Sequence, residues 1–223
     1  MKIIYFDNHL IVAFKPFGVA TQKSLEHKDN LEDQVKEWLK KKYDKPGNVF
    51  LHAVHRLDLM TAGIVVLAKT EKALKRMNES IKKGEFNKIY FAVVEGSLKE
   101  PKGELVHYLK HKDFKTDISE TQKDGYKKCE LEYEVLERVK GVSLVKIKLL
   151  TGRYHQIRGQ FSYIGNPVVG DAKYGSKTKY GKNKIALIHK EVELVHPIKK
   201  EKMTFSVDLP KEWPWDIFKG SGS

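Results

Sequence analysis

His52-Ala53-Val54-His55-Arg56-Leu57-Asp58-Leu59-Met60-Thr61-Ala62-Gly63-Ile64-Val65-Val66-Leu67-Ala68 joins a short, basic, turn-like segment to a strongly apolar run. Gly63 to Ala68 reads as a buried strand, so Asp58 falls on the loop that enters a sheet, where a rigid element can aim a side chain. Two readings of Asp58 are open at this point. It is either a turn residue whose carboxylate caps the loop backbone, or a carboxylate placed for chemistry. Spacing alone favours the turn, because a single Asp is weak evidence for a catalyst.

Working outward from this strand, the chain alternates β-rich runs with a few helices. Lys2 to Phe6 and Leu10 to Phe14 form a hairpin around Asp7-Asn8, and Lys15-Pro16-Phe17-Gly18 ends its second strand. Asn30 caps a helix that turns Leu31, Val35, Trp38 and Leu39 to one side, with acids at its start and Lys40 to Lys42 at its end. Thr70 caps a second helix carrying Ala73, Leu74, Met77 and Ile81 inward, and Gly84 stops it.

Strands follow over 88–95, 104–109, 128–139 and 142–150, the clearest being Val145, Ile147 and Leu149 set against Lys146 and Lys148. Lys110 to Lys127 is polar and without a period, which predicts a mobile loop. Arg153 to Ile164 reads as a helix ended by Gly165-Asn166-Pro167, with Gly159 weakening it. Gly170 to Lys184 reads as another loop, followed by strands at 185–188, 192–195 and 203–209. The pattern predicts an α+β fold with a mixed, largely antiparallel central sheet and flanking helices and loops. Residues 1–218 are expected to form one domain and 219–223 a tail or linker scar.

Composition narrows the partners. Forty-two Lys and Arg stand against 29 Asp and Glu, a formal net charge of +13 over 223 residues. Such a balance suits a polyanion such as RNA, DNA or an anionic membrane, or else a well-solvated lysine surface. Only Arg56, Arg76, Arg138, Arg153 and Arg158 are arginines, and three of them lie beside Asp58 or in Thr151-Gly152-Arg153-Tyr154-His155-Gln156-Ile157-Arg158. The planar, permanently charged guanidinium is used where a flexible ammonium serves poorly. One cysteine, Cys129, excludes a disulfide framework and a Cys-based zinc site and reads as a small core residue. No signal segment and no apolar run of membrane length is visible, so a cytoplasmic protein is expected.

Three segments belong together: the Asp58 loop, Asn87-Lys88-Ile89-Tyr90-Phe91-Ala92-Val93-Val94-Glu95-Gly96, and Thr151 to Arg158. On these residues the chain resembles the pseudouridine synthases of the RluA family. His55-Arg56-Leu57-Asp58 with Thr61-Ala62-Gly63 is similar to the family's HRLD…T-S-G motif, Lys88-Ile89-Tyr90 to its K-x-Y segment, and Thr151 to Arg158 to its T-G-R-x-H-Q-I/L-R motif. Lys15 to Gly18 is like the K-P-x-G turn, Gly165 to Tyr174 like G-x-P-x-x-G-D-x-x-Y, and His196-Pro197 like a late H-P pair. The resemblance covers nearly the whole chain in order.

The resemblance implies the pseudouridine synthase catalytic fold and isomerisation of uridine in RNA, with no cofactor and no metal. Asp58 is then the nucleophile, acting on base or sugar or assisting glycal formation. Burial alone would raise its pKa, so a cation must stand close, and Arg158 matches the family's basic partner. Tyr90 matches the active-site tyrosine, whose ring can stack on uracil; its alternative is a core strand tyrosine. Ile157 supplies an apolar wall. Arg56 is expected to brace the space left by an extruded uridine, and Lys88, Arg153, His155 and Gln156 to contact phosphate or support the pocket. His155 and Gln156 fit equally a purely structural role in holding loops together.

Departures are few: Ala62 for serine in T-S-G, Phe17 for the usual small residue, and Gly159-Gln160 where many members have an apolar residue and His. No S4 RNA-binding domain is expected before Met1. Ribosomal RNA is the first expected substrate and tRNA the second, with a monomer as the default. Three rivals remain. A non-catalytic RNA-binding protein explains the charge but not Asp58, Tyr90 and Arg158 together. A metal hydrolase would use His52, His55 and Asp58 but lacks His-Glu-x-x-His. A glycosidase wants a second placed carboxylate.

Overall fold

A computed structural model describes residues 1–44 and 47–219, so the expected tail lies outside the described residues except for Lys219, whose backbone N–H donates to Glu137. The chain gathers into two compact units. The first holds residues 1–87 and 191–207, the second 88–190 and those from 208 onward.

The first unit is built on the opening hairpin. Strands β1 (Lys2–Phe6) and β2 (Leu10–Lys15) pair antiparallel. Asp7 closes their turn by accepting the His9 and Leu10 N–H groups, both at 2.8 Å. β3 (His52–Ala53) and β4 (Ala62–Ala68) pair antiparallel, and β2 lies on β4 in a register running from Leu10 opposite Ala68 to Lys15 opposite Gly63. All seven residues of β4 are buried, as its unbroken apolar run requires of a strand covered on both faces.

Two capped helices belong to the same unit. In α1 (Leu31–Tyr43) the Asp33 N–H donates to the Asn30 side chain, and in α2 (Glu71–Lys82) the Ala73 N–H donates to Thr70 Oγ1. Ala73 and Met77 of α2 pack on Leu10, Val12, Ile64 and Val66. Among the described residues no helix is long and apolar enough to cross a membrane.

The second unit is an antiparallel sheet in the order β5-β9-β8-β6-β7. Its strands are β5 (Phe86–Glu95), β6 (Lys102–Lys112), β7 (Lys115–Ser119), β8 (Lys127–Val139) and β9 (Val142–Leu149). A helix α3 (Gln156–Tyr163) packs on β7 and β6. β10 (Leu187–Val195) begins in this unit and ends in the first, where β11 (Lys202–Ser206) pairs with it. The fold is α+β with largely antiparallel pairing, as the pattern predicts.

Three expectations are corrected. The stretch 110–127 is not a plain loop: β6 continues to Lys112 and returns as β7, from Lys112 opposite Lys115 to Tyr108 opposite Ser119. Its polar residues hide the strand, because backbone pairing and one contact face hold it. The helix over Arg153–Ile164 starts only at Gln156, since His155 takes a left-handed φ of 50° and breaks the first turn. The two late strands are one, β10: His189, which separates them in the hydropathy pattern, is fully buried and stacks on Tyr90.

Candidate active site

Asp58 and Arg56 stand on the loop between β3 and β4, in the first unit. The loop is pinned through its backbone. Val54 N–H donates to Val66 O at 2.8 Å, Thr61 N–H to Asp58 O at 3.1 Å, and Gly18 N–H to Leu59 O at 2.9 Å. The buried hydroxyl of Thr21 accepts the Leu57 N–H and donates to the Leu57 carbonyl, each at 3.0 Å. Asp58 is left half-buried and Arg56 exposed.

Beneath this loop lies a cation that the sequence reading takes only for part of a turn. Lys15 is fully buried, and its Nζ donates to the carbonyls of Pro16, Val19 and Leu59 at 3.1, 2.6 and 3.3 Å. Burial pulls its pKa down to about 7, while the negative charge of Asp58 pulls it back up. The signal was present in the sequence as a lysine closing an apolar strand, but only the β2–β4 register brings it to the Thr61-Ala62-Gly63 end of the Asp58 loop.

The histidines of this loop have other partners. His52 Nδ1 is 3.3 Å from Glu32, and His55 Nε2 accepts the Val66 N–H while its ring meets Phe86 edge-on. Among the described residues no three His, Cys, Asp or Glu side chains are grouped to hold a metal ion.

The remaining candidates belong to the second unit. Tyr90, on β5 opposite Ile147, is buried and stacked on His189 with centroids 4.6 Å apart. Lys88, two residues earlier, is half-buried, which lowers its pKa, and a Cβ on Gly152 would stand 3.2 Å from its ammonium. Gly152 thus leaves room for the lysine. Arg153 is exposed, with Nε 3.4 Å from Lys128 O.

Gln156 is buried and works as a brace. Its Oε1 accepts from Thr151 Oγ1 (2.8 Å) and Arg153 N–H (3.0 Å), and its Nε2 donates to Glu130 O (3.1 Å). Ile157 beside it is 5 % exposed.

Arg158 is held as a fork. Its Nε and Nη2 donate to Asp171 Oδ2 and Oδ1 at 2.6 and 2.9 Å, both side chains being buried. Nη1 donates to His155 Nε2 at 2.7 Å, so the neutral imidazole carries its proton on Nδ1 and donates to Tyr174 Oη at 3.0 Å. Burial first, and the Arg158 charge second, press the His155 pKa down to about 3, which keeps the ring an acceptor for the guanidinium. Asp171 and Tyr174 were visible in the sequence only as members of a motif, because their link to Arg158 spans a loop and a helix turn.

A model of the family "RNA pseudouridylate synthase" matches residues 9–163, a span that includes Asp58, Tyr90 and Arg158. The chain belongs to that family. Among its RNA pseudouridylate synthase relatives, the ribosomal large subunit pseudouridine synthase C of Vibrio vulnificus is 29 % identical over 216 residues, covering 94 % of this chain and 66 % of the relative. An uncharacterised RNA pseudouridine synthase of Aquifex aeolicus is 30 % identical over 222 residues, covering 95 % and 70 %. The chain thus spans about two thirds of the length of the curated relatives it matches. The human RNA pseudouridylate synthase domain containing 4 shares the fold, with a TM-score of 0.78 at 21 % identity, covering 94 % of this chain and 88 % of that one.

Proposed function

We propose that this RNA pseudouridylate synthase isomerises specific uridines of structured RNA. The observation that carries the reading is the family match, whose span of residues 9–163 takes in the three motif segments. In the reaction the N1–C1′ bond breaks, the uracil turns, and C5 bonds to C1′. The C5 proton is lost and N1 gains one, so the composition is unchanged.

Asp58 is the nucleophile, at base or sugar, or the group that assists glycal formation. A carboxylate in this role must stay ionised while water is excluded, and cationic neighbours meet that need. Arg158, locked in the charged form and aimed by Asp171, is its proposed partner, with Lys15 supporting the loop from below. Tyr90 stacks on the base against an apolar wall from Ile157. Extruding a stacked uridine costs a few kcal/mol, which contacts to the remaining RNA offset; exposed Arg56 fills the vacated space. Lys88 and Arg153 take phosphates, while His155 and Gln156 support the pocket.

The net charge of +13 suits a phosphate backbone. Ribosomal RNA is the first substrate to try, in keeping with the name of the Vibrio relative, and tRNA the second. We take residues 1–218 as one catalytic domain acting as a cytoplasmic monomer.

The test is to incubate the protein with uridine-labelled rRNA and tRNA and assay pseudouridine, with and without chelator, for the wild type and Asp58→Ala. Product from the wild type only, insensitive to chelator, is expected. Product from Asp58→Ala would sink the mechanism. Binding without product from any RNA would favour a non-catalytic RNA-binding protein.

A further inference from the structure

β10 carries a side chain that packing of the strand does not call for. Leu187, Ile188, Val192 and Leu194 supply its buried apolar surface, and His189 stands among them fully buried. Taking an imidazole out of water costs more than taking the leucine or valine that would fill the same place. The chemistry proposed above assigns this residue nothing. His189 belongs to the part of β10 that lies in the second unit, where Val93 N–H of β5 donates to Ala186 O at 2.9 Å and fastens the start of the strand.

The partner of this imidazole is the tyrosine proposed to meet the base. β5 runs between β10 and β9, and the His189 and Tyr90 rings lie nearly parallel, 22° apart, with centroids at 4.6 Å. That separation is close to the spacing of adjacent strands, so the two rings stand side by side on one face of the sheet. The same face continues through Ile147, opposite Tyr90, and Tyr133, opposite Ile147. Phe161 of α3 meets Tyr133 edge-on at 5.9 Å, so the helix that carries Ile157 and Arg158 covers this face. Strand pairing fixes where the Tyr90 side chain leaves the backbone. It does not fix how the ring turns, because rotation about the last bond of an aromatic side chain is broad. A flat neighbour packed against one face removes that freedom and leaves a base only the other.

We propose that His189 is a positioning residue that acts through Tyr90: its imidazole is the platform that sets the plane of the Tyr90 ring, so that uracil stacks on the ring face turned away from β10. A branched aliphatic side chain at the same place would fill the volume without imposing a plane. The inference rests on the pseudouridine synthase reading for its reaction. It adds a residue outside the three motif segments and the order of a three-ring stack, imidazole, phenol and uracil.

The experiment compares His189→Leu, which keeps the volume, with His189→Phe, which keeps a flat ring. Each is assayed for pseudouridine formation on an RNA that the wild type modifies, and for the fluorine NMR spectrum of protein in which Tyr90 is replaced by 3-fluorotyrosine. Urea titration checks that each variant folds. His189→Leu is expected to lower kcat about tenfold with KM and RNA affinity unchanged, since the lost group orients the ring that meets the base and grips no phosphate. The same variant should displace or split the fluorine resonance. His189→Phe should restore a single resonance and most of the kcat.

An unmoved resonance in folded His189→Leu overturns the proposal, because the ring is then held without the imidazole. So does an unchanged kcat beside a displaced resonance, a rise in KM in place of a fall in kcat, or a folded His189→Phe protein that behaves as His189→Leu does. Failure of His189→Leu to fold would assign the residue to the core and overturn it as well. The spectra need no turnover, so a wild type that makes no pseudouridine from any RNA while its resonance responds as expected sinks the enzymatic reading and leaves the platform standing.

Discussion

The Asp58 loop and the Arg158 helix hold their side chains in opposite ways. The loop is fixed through its main chain: carbonyls and N–H groups of residues 54 to 61 are tied to β4, to Thr21 and to Gly18, and the buried Lys15 ammonium is satisfied by backbone oxygens. Around Arg158 the side chains themselves are locked, by a bidentate carboxylate and a neutral imidazole. The difference teaches where each region is vulnerable. A carboxylate on a pinned turn tolerates loss of a neighbour's side chain, whereas a buried guanidinium does not tolerate loss of its counter-charge.

The comparison breaks hardest at Asp58. Asp58→Ala should lower pseudouridine formation by about 10⁴-fold or more while leaving RNA affinity and thermal stability near wild type, since only the proposed nucleophile is removed. Lost folding in this variant, read by thermal melting, would mean that the loop depends on the side chain after all.

Asp171→Ala should act the other way round, with a stability loss of about 3–5 kcal/mol in urea titration, because Arg158 is left charged, buried and without its carboxylate. Asp171→Asn should recover part of it. A change below about 1 kcal/mol would show that the fork is not what holds α3.

The two regions also predict a common response to pH. Folding depresses the pKa of Lys15 from 10.5 to about 7, so between those values the unfolded chain binds more protons and stability rises with pH. His155 is depressed from 6.5 to about 3, so its contribution is complete above pH 6.5 and is lost as pH falls toward 3. Chemical denaturation across pH 4–10 should show both limbs. Lys15→Met should flatten the alkaline one and His155→Phe the acidic one, and interchange of these assignments would refute the placement of the two groups.

The smallest effect is expected at Thr21. Thr21→Val leaves the Leu57 N–H and carbonyl without their hydroxyl partner and should cost about 1–2 kcal/mol, with a modest fall in kcat and little change in RNA affinity. No loss of activity would show that the Asp58 loop is overdetermined by its other ties.

Much of the framework was legible because it follows local rules. The caps at Asn30 and Thr70, the opening hairpin and the alternation along β9 need only neighbours in sequence. The hairpin β6–β7 was not legible: Lys115 to Ser119 carries no apolar period, and its place depends on Gly159 from an element some forty residues away. Likewise the break at His155 follows from a side-chain network and not from propensity.

For the site, the sequence by itself determined which residue types stand at which spacings, and through the motifs the family and the candidate groups. Tertiary structure alone decided who satisfies them. That Lys15 lies under the Asp58 loop, that Asp171 grips Arg158, and that His155 is neutral are consequences of burial. A charge removed from water must find partners wherever the fold supplies them, and chain order does not encode those partners.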